Sequence, residues 1–434
     1  MDNQMNYSNH WILSLDTVLL LVLGTAHLWF NPTSSALLVT LMAIYVLVSL
    51  LVPQMPDEKV DSSWRERLIF VFRIIIVLFV VIFAILTPVW MNVSARLDEG
   101  SATHANDGLI QTEEAIKFLL KGMNPYTVDY LATPLADWKG GEPPWTPIRG
   151  PLYHNAYLPF LFIGSIPFYL FISAVLGWYD QRILYVLIYL EMLLLLPLIT
   201  RRARDKLSLL CAVGLNFQFV YFLYDGRNDV VILFGLLLTT VFLIRQNFIV
   251  ASLVLGLTLG VKHFAWLSLP FYALYLIGNN RDRHSVLRGG RYLVVTFLVV
   301  GVIILPFLIW DAYSFIDDTV LYLIGGTADS YPIRGWGFGT LLLAIGIITS
   351  PESPFPFVVL EVVFGIPTLI LLLRWQWREN TLKRVWIGFA GFSFVVQYFS
   401  RFFNDNYAIF VLQALVIGAL MSPYRWQTES SDAR

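Results

Sequence analysis

Cysteine is nearly missing: the single one, Cys211, lies in an apolar run, so no internal disulfide can staple the fold. Charge is scarce as well. Charged residues make up 14% of the 434, against about 25% in soluble domains, which excludes a single water-facing globule. Neither sign prevails, with 29 basic and 30 acidic residues and a net charge of −1. The basic footprint that a nucleic-acid partner needs is therefore absent. No internal repeat and no low-complexity tract stands out. A cleavable leader pattern is lacking too: the first apolar run, roughly 11–30, is too long for a leader core and is followed at once by another.

What remains is hydrophobic: 57% of residues, with a mean hydropathy of +0.67. A hydrocarbon layer of roughly 30 Å needs about 20 apolar residues per helix. Such runs fall at roughly 11–30, 35–53, 68–91, 157–177, 183–200, 207–223, 230–245, 248–278, 291–310, 356–374, 385–400 and 407–422. The 248–278 run divides into two short helices around Lys262. The expected fold class is all-α, a polytopic transmembrane bundle of about 11–13 spans, with two N-terminal helices in 1–56 and a polar tail at 426–434.

Basic clusters at 59–67, 201–206, 281–291 and 374–384 favour the cytoplasmic side. Segments 92–156, 224–229, 311–355 and 401–406 then face outward. Between 156 and 201 two apolar runs stand where one crossing is required. Pro159 and Pro167 make the first of them a kinked or interfacial helix, and 338–349 is read as non-spanning.

The outward segments carry the unusual residues. In 92–156, residues 108–121 form an amphipathic helix, with Glu113 and Glu114 early, Lys117 and Lys121 late, and Gly122 and Pro125 as stop signals. Ile116, Phe118, Leu119 and Leu120 would rest on membrane or bundle. Asp107 precedes this helix, either as its N-cap or as a reactive carboxylate at the water–lipid boundary; the two roles are compatible. Asn92-Val93-Ser94 matches a glycosylation sequon but lies too close to a span end to serve as one. His104 and His154 lack any metal-ligand spacing, so no metal site is expected. Glu191 and Glu361 fall well inside apolar runs, as functional groups or as structural partners.

The run Asp107, Glu114-Ala115 and Gly122-Met123-Asn124-Pro125-Tyr126 resembles the first outer loop of GT-C superfamily glycosyltransferases, above all polyprenyl-phosphate-mannose-dependent mannosyltransferases. Tyr157-Leu158-Pro159, Gly226-Arg227-Asn228-Asp229 and the segment from Gly256 to Lys262 extend the likeness over roughly 70–310, and more loosely 330–410. A GT-C-like core would then occupy 57–425. One departure is that Ala105 stands where several relatives carry the first acid of Asp-x-Asp.

The resemblance implies an inverting transfer of a hexose, mannose first, from a polyprenyl-phosphate sugar to a glycan-, lipid- or protein-linked acceptor on the outer face of the cell membrane, without a required cofactor. Membrane lipid and these two substrates are the implied partners. A general base must reach the acceptor hydroxyl: Asp107 is the candidate, with Asp98 and Glu99 in reserve. Lys262, His263, Arg227, Arg334 and Arg401 are candidates for the leaving phosphate. Tyr126, Tyr157, Asp225, Asp229, Trp336 and Tyr407 are candidates for acceptor or sugar, the aromatics doubling as an interfacial belt. A secondary transporter or lipid flippase, and a non-catalytic membrane subunit, are the competing readings. Lys262 beside a broken helix is what favours transport.

Overall fold

The computed structural model describes residues 13–28, 35–51, 64–138, 150–280 and 282–425. The tail at 426–434, Lys59 and 139–149 of the long loop lie outside the described residues. The chain is all-α in class. Its helices are α1 (Leu15–Leu28), α2 (Ser35–Leu51), α3 (Trp64–Glu99), α4 (Asp107–Leu120), α5 (Phe160–Ile163), α6 (Ile166–Leu176), α7 (Gln181–Leu195), α8 (Ala203–Gly214) and α9 (Phe217–Asp225). There follow α10 (Asp229–Ile244), α11 (Phe248–Leu259), α12 (Leu269–Ile277), α13 (Arg283–Ile316), α14 (Tyr322–Ile324), α15 (Phe338–Ala344), α16 (Phe357–Arg378), α17 (Leu382–Tyr398) and α18 (Asp405–Leu420). Two-residue strands β1 (Arg334–Gly335) and β2 (Phe402–Phe403) pair in parallel.

The expected count of 11–13 full spans is corrected. Among the described residues four helices are long and apolar enough to cross a bilayer: Arg67–Glu99, Gln181–Ile199, Arg283–Ile324 and Phe357–Arg378. The bent pair Ala203–Gly214 and Phe217–Asp225 makes a fifth if it counts as one span. The other apolar helices have 10–17 residues, because the apolar runs outlast the helices inside them. The longest run, 248–278, shows why: the backbone at Lys262 is extended (φ −162°, ψ 144°), so α11 ends and a 3₁₀ turn leads into α12.

Carbonyls released at such a break must find donors where water is excluded. Gly260 O accepts from Phe160 N–H at 2.9 Å, Val261 O from Leu158 N–H at 3.2 Å, and Leu259 O from the Trp266 indole at 2.9 Å. The segment after Tyr157 thus closes the gap that the α11–α12 break opens.

The segments expected to face outward meet at one end of the bundle. Asn106 N–H donates to Asp225 O (2.8 Å), Arg227 pairs with Asp405 (2.7 Å), His154 contacts Asp318 (2.9 Å) and Trp336 N–H donates to Phe403 O (2.7 Å). At the opposite end Ser422 N–H donates to Ile199 O, Leu382 N–H to Tyr424 O, and Arg384 and Arg425 both pair with Glu379. The two-run puzzle between 156 and 201 resolves accordingly. The 157–177 run starts beside Gly260 and ends beside Asp180, which pairs with Arg96 near the outward end of α3. It leaves from and returns to the same end, and only 181–199 is long and apolar enough to cross. The 338–349 piece behaves alike: Gly337 packs on Phe403, and Pro351 O accepts from Ile333 N–H.

The core is built of Leu, Ile, Val and Phe around α10, which packs on α7 and α11. The outer faces of α13 and α16 are apolar yet uncovered, with Ile309 82% and Leu371 67% exposed. A surface that apolar is the kind that meets lipid rather than water. Inside the N-terminal helices, Asp16 is held by Tyr45 and Arg73, so the buried charges of α1 and α3 neutralise each other. Glu191 is exposed on α7, and Glu361 is partly buried on α16.

Candidate active site at the meeting of four loops

Asp107 opens α4, but it is not the cap. Asn106, in extended conformation, caps the helix through its side-chain oxygen on Gly108 N–H at 3.1 Å. Asp107 is freed from that duty. Its Oδ1 accepts from the same Gly108 N–H at 2.8 Å, and its Oδ2 has no hydrogen-bond partner among the described residues. Burial raises the pKa of this carboxyl; the Gly108 amide, Arg227 and Arg334 pull it back down, and Asp225 adds to the rise.

The expectation that α4 lies along a surface is also corrected. Residues 108–116 are all buried, and only the end of the helix, at Leu120, is exposed. Its Glu113 is gripped by both arms of Arg96 (3.0 and 2.8 Å), and Arg96 also holds Asp180 at 2.8 Å. Asp180 in turn chelates Arg182, whose remaining N–H reaches His104 O at 2.8 Å. Asn92 donates to His104 O and Tyr224 O, which explains why its sequon cannot carry a glycan: the side chain is buried and bonded. This network holds the start of α4 against α3, α7 and α9.

Tyr157 covers the N-terminus of α4. A methyl group on Gly108 would meet the Tyr157 hydroxyl at 2.1 Å, so only glycine lets the tyrosine approach. Behind it stands Lys262, 5.8 Å from the Tyr157 ring and 4.7 Å from that of Tyr407. Its ammonium bonds Asp229 at 3.0 Å and Asn228 at 3.3 Å, and Asn406 donates to the other Asp229 oxygen at 2.6 Å. Lys262 therefore has the compensating partner that its burial requires. Arg227 is similarly occupied, bonding Asp225 (3.0 Å) and Asp405 (2.7 Å) with its guanidinium over Phe222.

Arg334 differs from both. It sits on β1, is exposed, and has no hydrogen bond or ion pair among the described residues. Exposed Trp336, Leu341 and Ile345 follow it in the chain, the last two in and just after α15.

Other expected residues fall elsewhere. Arg401 is buried, with its guanidinium spent on the carbonyls of Tyr331, Pro351, Glu352 and Ser353; it pins the 331–353 segment and is corrected from phosphate ligand to clamp. Tyr126 is likewise a support: it packs among Phe162, Phe307 and Phe315 and donates to Tyr157 O at 2.8 Å. Asp98 and Glu99 are exposed at the end of α3, where Glu99 contacts His104 at 2.8 Å, and neither joins the Asp107 group. His263 follows Lys262 into the 3₁₀ turn, its Nδ1 without a partner among the described residues.

The sequence reading missed Asn228, Asp405 and Asn406, although two of them stand in the same Asn-Asp-Asn-Tyr run that supplied Tyr407. Beside Asp225, a cavity of about 1090 Å³ is lined by Glu99, His104, Trp138, Tyr221 and Tyr224. Comparison with family models, with curated proteins and with solved structures gives no match.

Proposed function

We propose that this chain is an integral membrane glycosyltransferase that moves a hexose, mannose first, from a polyprenyl-phosphate sugar to a glycan-, lipid- or protein-linked acceptor on the outer face of the cell membrane. The observation that carries this reading is a carboxylate at the start of α4, Asp107, whose Oδ2 is unengaged among the described residues and whose pKa the charges of Arg227 and Arg334 lower. Lys262 is paired with Asp229 and Arg227 is shared by Asp225 and Asp405, so Arg334 is the guanidinium left for a substrate.

The chemistry follows from that arrangement. Asp107 Oδ2 takes the proton of the acceptor hydroxyl, whose oxygen attacks the anomeric carbon from the face opposite the phosphate. The carbon–oxygen bond to phosphate breaks, its electron pair stays on the lipid phosphate, and the anomeric configuration inverts. Arg334 stabilises the charge gathered there. The exposed apolar residues that follow it in the chain, Trp336, Leu341 and Ile345, suit a molecule with a phosphate head and a hydrocarbon tail. The cavity beside Asp225 offers aromatic faces for an acceptor sugar.

Lys262 stands at the turn of a helical hairpin and is paired with Asp229.

The test is transfer of radiolabelled hexose from polyprenyl-phosphate hexose in proteoliposomes. Incorporation that requires this chain is expected; equal incorporation without it would end the proposal.

Substitutions at two positions probe the geometry. A base must be ionised, so the rate should fall as pH drops through the raised pKa of Asp107. Arg334 lowers that pKa; Arg334→Ala should therefore move the acid limb to higher pH and raise KM for the lipid donor, while Arg334→Lys restores the limb. An unmoved limb in Arg334→Ala would separate the two groups. Gly108→Ala should displace Tyr157 and slow transfer on the order of 10²-fold, in spite of alanine's better helix propensity. Wild-type rates in that variant would show that Tyr157 is not needed where it stands.

A further inference from the structure

Away from Asp107, the end of the long loop meets the turn that follows α13. A break at Asp311 (φ −158°, ψ 98°) ends the long helix, and a π-helical turn at Asp317–Leu321 follows. There His154 Nδ1 lies 2.9 Å from Asp318 Oδ1 and 3.4 Å from Asp317 Oδ2. We propose that His154, Asp317 and Asp318 bind one divalent cation of borderline hardness, Mn²⁺ or Zn²⁺, with Asp329 as the outer partner of the imidazole.

The donor set fits such an ion. One ligand atom from each of the three residues lies within 4.8 Å of the others. Atoms sharing an ion tetrahedrally at about 2.1 Å stand about 3.4 Å apart, so rotamer adjustments on the order of 1 Å close the site. The outer arrangement is already in place. Asp318 Oδ2 is fixed by Asn155 N–H at 2.8 Å, and His154 Nε2 faces Asp329 Oδ1 at 3.0 Å. A carboxylate on the far nitrogen is how metal-bound histidines are oriented and their tautomer set. With the Nε2–H donated to Asp329, a bound cation replaces the proton that Nδ1 shares with Asp318 Oδ1.

Charge and burial point the same way. Three carboxylates surround one imidazole, and among the described residues no lysine or arginine pairs with Asp317, Asp318 or Asp329. An independent sign of a ligand comes from Tyr322. Its ring stacks on His154 with centroids 4.6 Å apart, it is 1% exposed, and its hydroxyl has no partner among the described residues. That hydroxyl lies against Gly150, in the same loop as His154, where an added Cβ would meet it at 2.3 Å. A buried hydroxyl left without a bond calls for an unplaced water or ligand atom, and an ion's remaining coordination position supplies one. The cation ties the end of the 92–156 loop to the segment that carries Tyr322. Its binding does not depend on the transfer chemistry.

The test is Mn²⁺ titration of the purified full-length chain in detergent, followed by loss of the free-ion paramagnetic resonance signal. Uptake of one Mn²⁺ per chain is expected, competed by Zn²⁺. Asp317→Asn and Asp318→Asn should abolish saturable uptake, and Asp329→Asn should weaken it roughly 10–100-fold. Asp107→Asn should leave it unchanged, which separates this site from the transfer reaction. Asp317 makes a single contact in the cluster, so its variant keeps the test valid where Asp318→Asn fails to fold. No saturable uptake by the wild type, or uptake unaltered in Asp317→Asn, overturns the proposal.

Discussion

Asp107→Asn should abolish hexose transfer, lowering the rate by about 10²–10⁴-fold, the usual worth of a positioned general base. The amide preserves the shape of the side chain, and its oxygen still accepts from Gly108 N–H. Because Asn106 supplies the cap, the helix should not weaken. Folding and catalysis are thereby separable at one residue: the variant should elute and melt as the wild type does while turnover disappears. A variant that retained turnover would move the base elsewhere. Asn106→Ala is the natural control, since losing a cap costs about 1 kcal/mol without touching the base.

The second large effect concerns stability. Arg96→Leu deletes the guanidinium that holds Glu113 and Asp180, both buried. Breaking a buried ion pair by removing one partner costs about 3–5 kcal/mol, because the charge left behind keeps its desolvation cost. Two carboxylates are stranded here, although Asp180 retains Arg182. The expected result is a marked fall in the melting temperature of the detergent-solubilised protein, with partial recovery in Arg96→Leu/Glu113→Gln. If the double variant melted no higher than the single one, the stranded carboxylate of Glu113 would not be the source of the loss. Transfer should suffer as well, since the same network sets the angle of α4 and hence of Asp107.

How far the sequence led varies from element to element. The excess of lysine and arginine in four loops sorted the chain into two ends, and among the described residues the structure brings the segments near 199–201, 278, 379–384 and 422–425 together at one end. Positive residues are distributed by topology, which is a property of the chain order, so the pattern survives without any knowledge of packing. The break at Lys262 and the odd status of 157–177 were legible for a similar reason: a cation in an apolar run, and two prolines near the start of another, violate the rules for a plain span.

Side-chain commitments were not legible. Arg227, Arg334 and Arg401 look alike as outward arginines. One is neutralised by Asp225 and Asp405, one is bonded to backbone carbonyls, and one is unengaged. Tyr126 and Tyr157 both lie in quoted motifs, yet one is a packed support and the other faces the site. His154 carried no ligand spacing because its neighbours, Asp317 and Asp318, come from a segment more than 160 positions away.

By itself the sequence determined the apolar helical class, the two-ended distribution of charge, the interruption at Lys262 and, to within one residue, the start of α4. These depend on composition, periodicity and local backbone preference, which act over a few residues. Only the tertiary structure decided which charges are spent, which carboxylate oxygen is left open and which distant residues share a site. Those outcomes depend on Coulomb and hydrogen-bond interactions that fall off within a few ångströms, between groups the chain order keeps far apart.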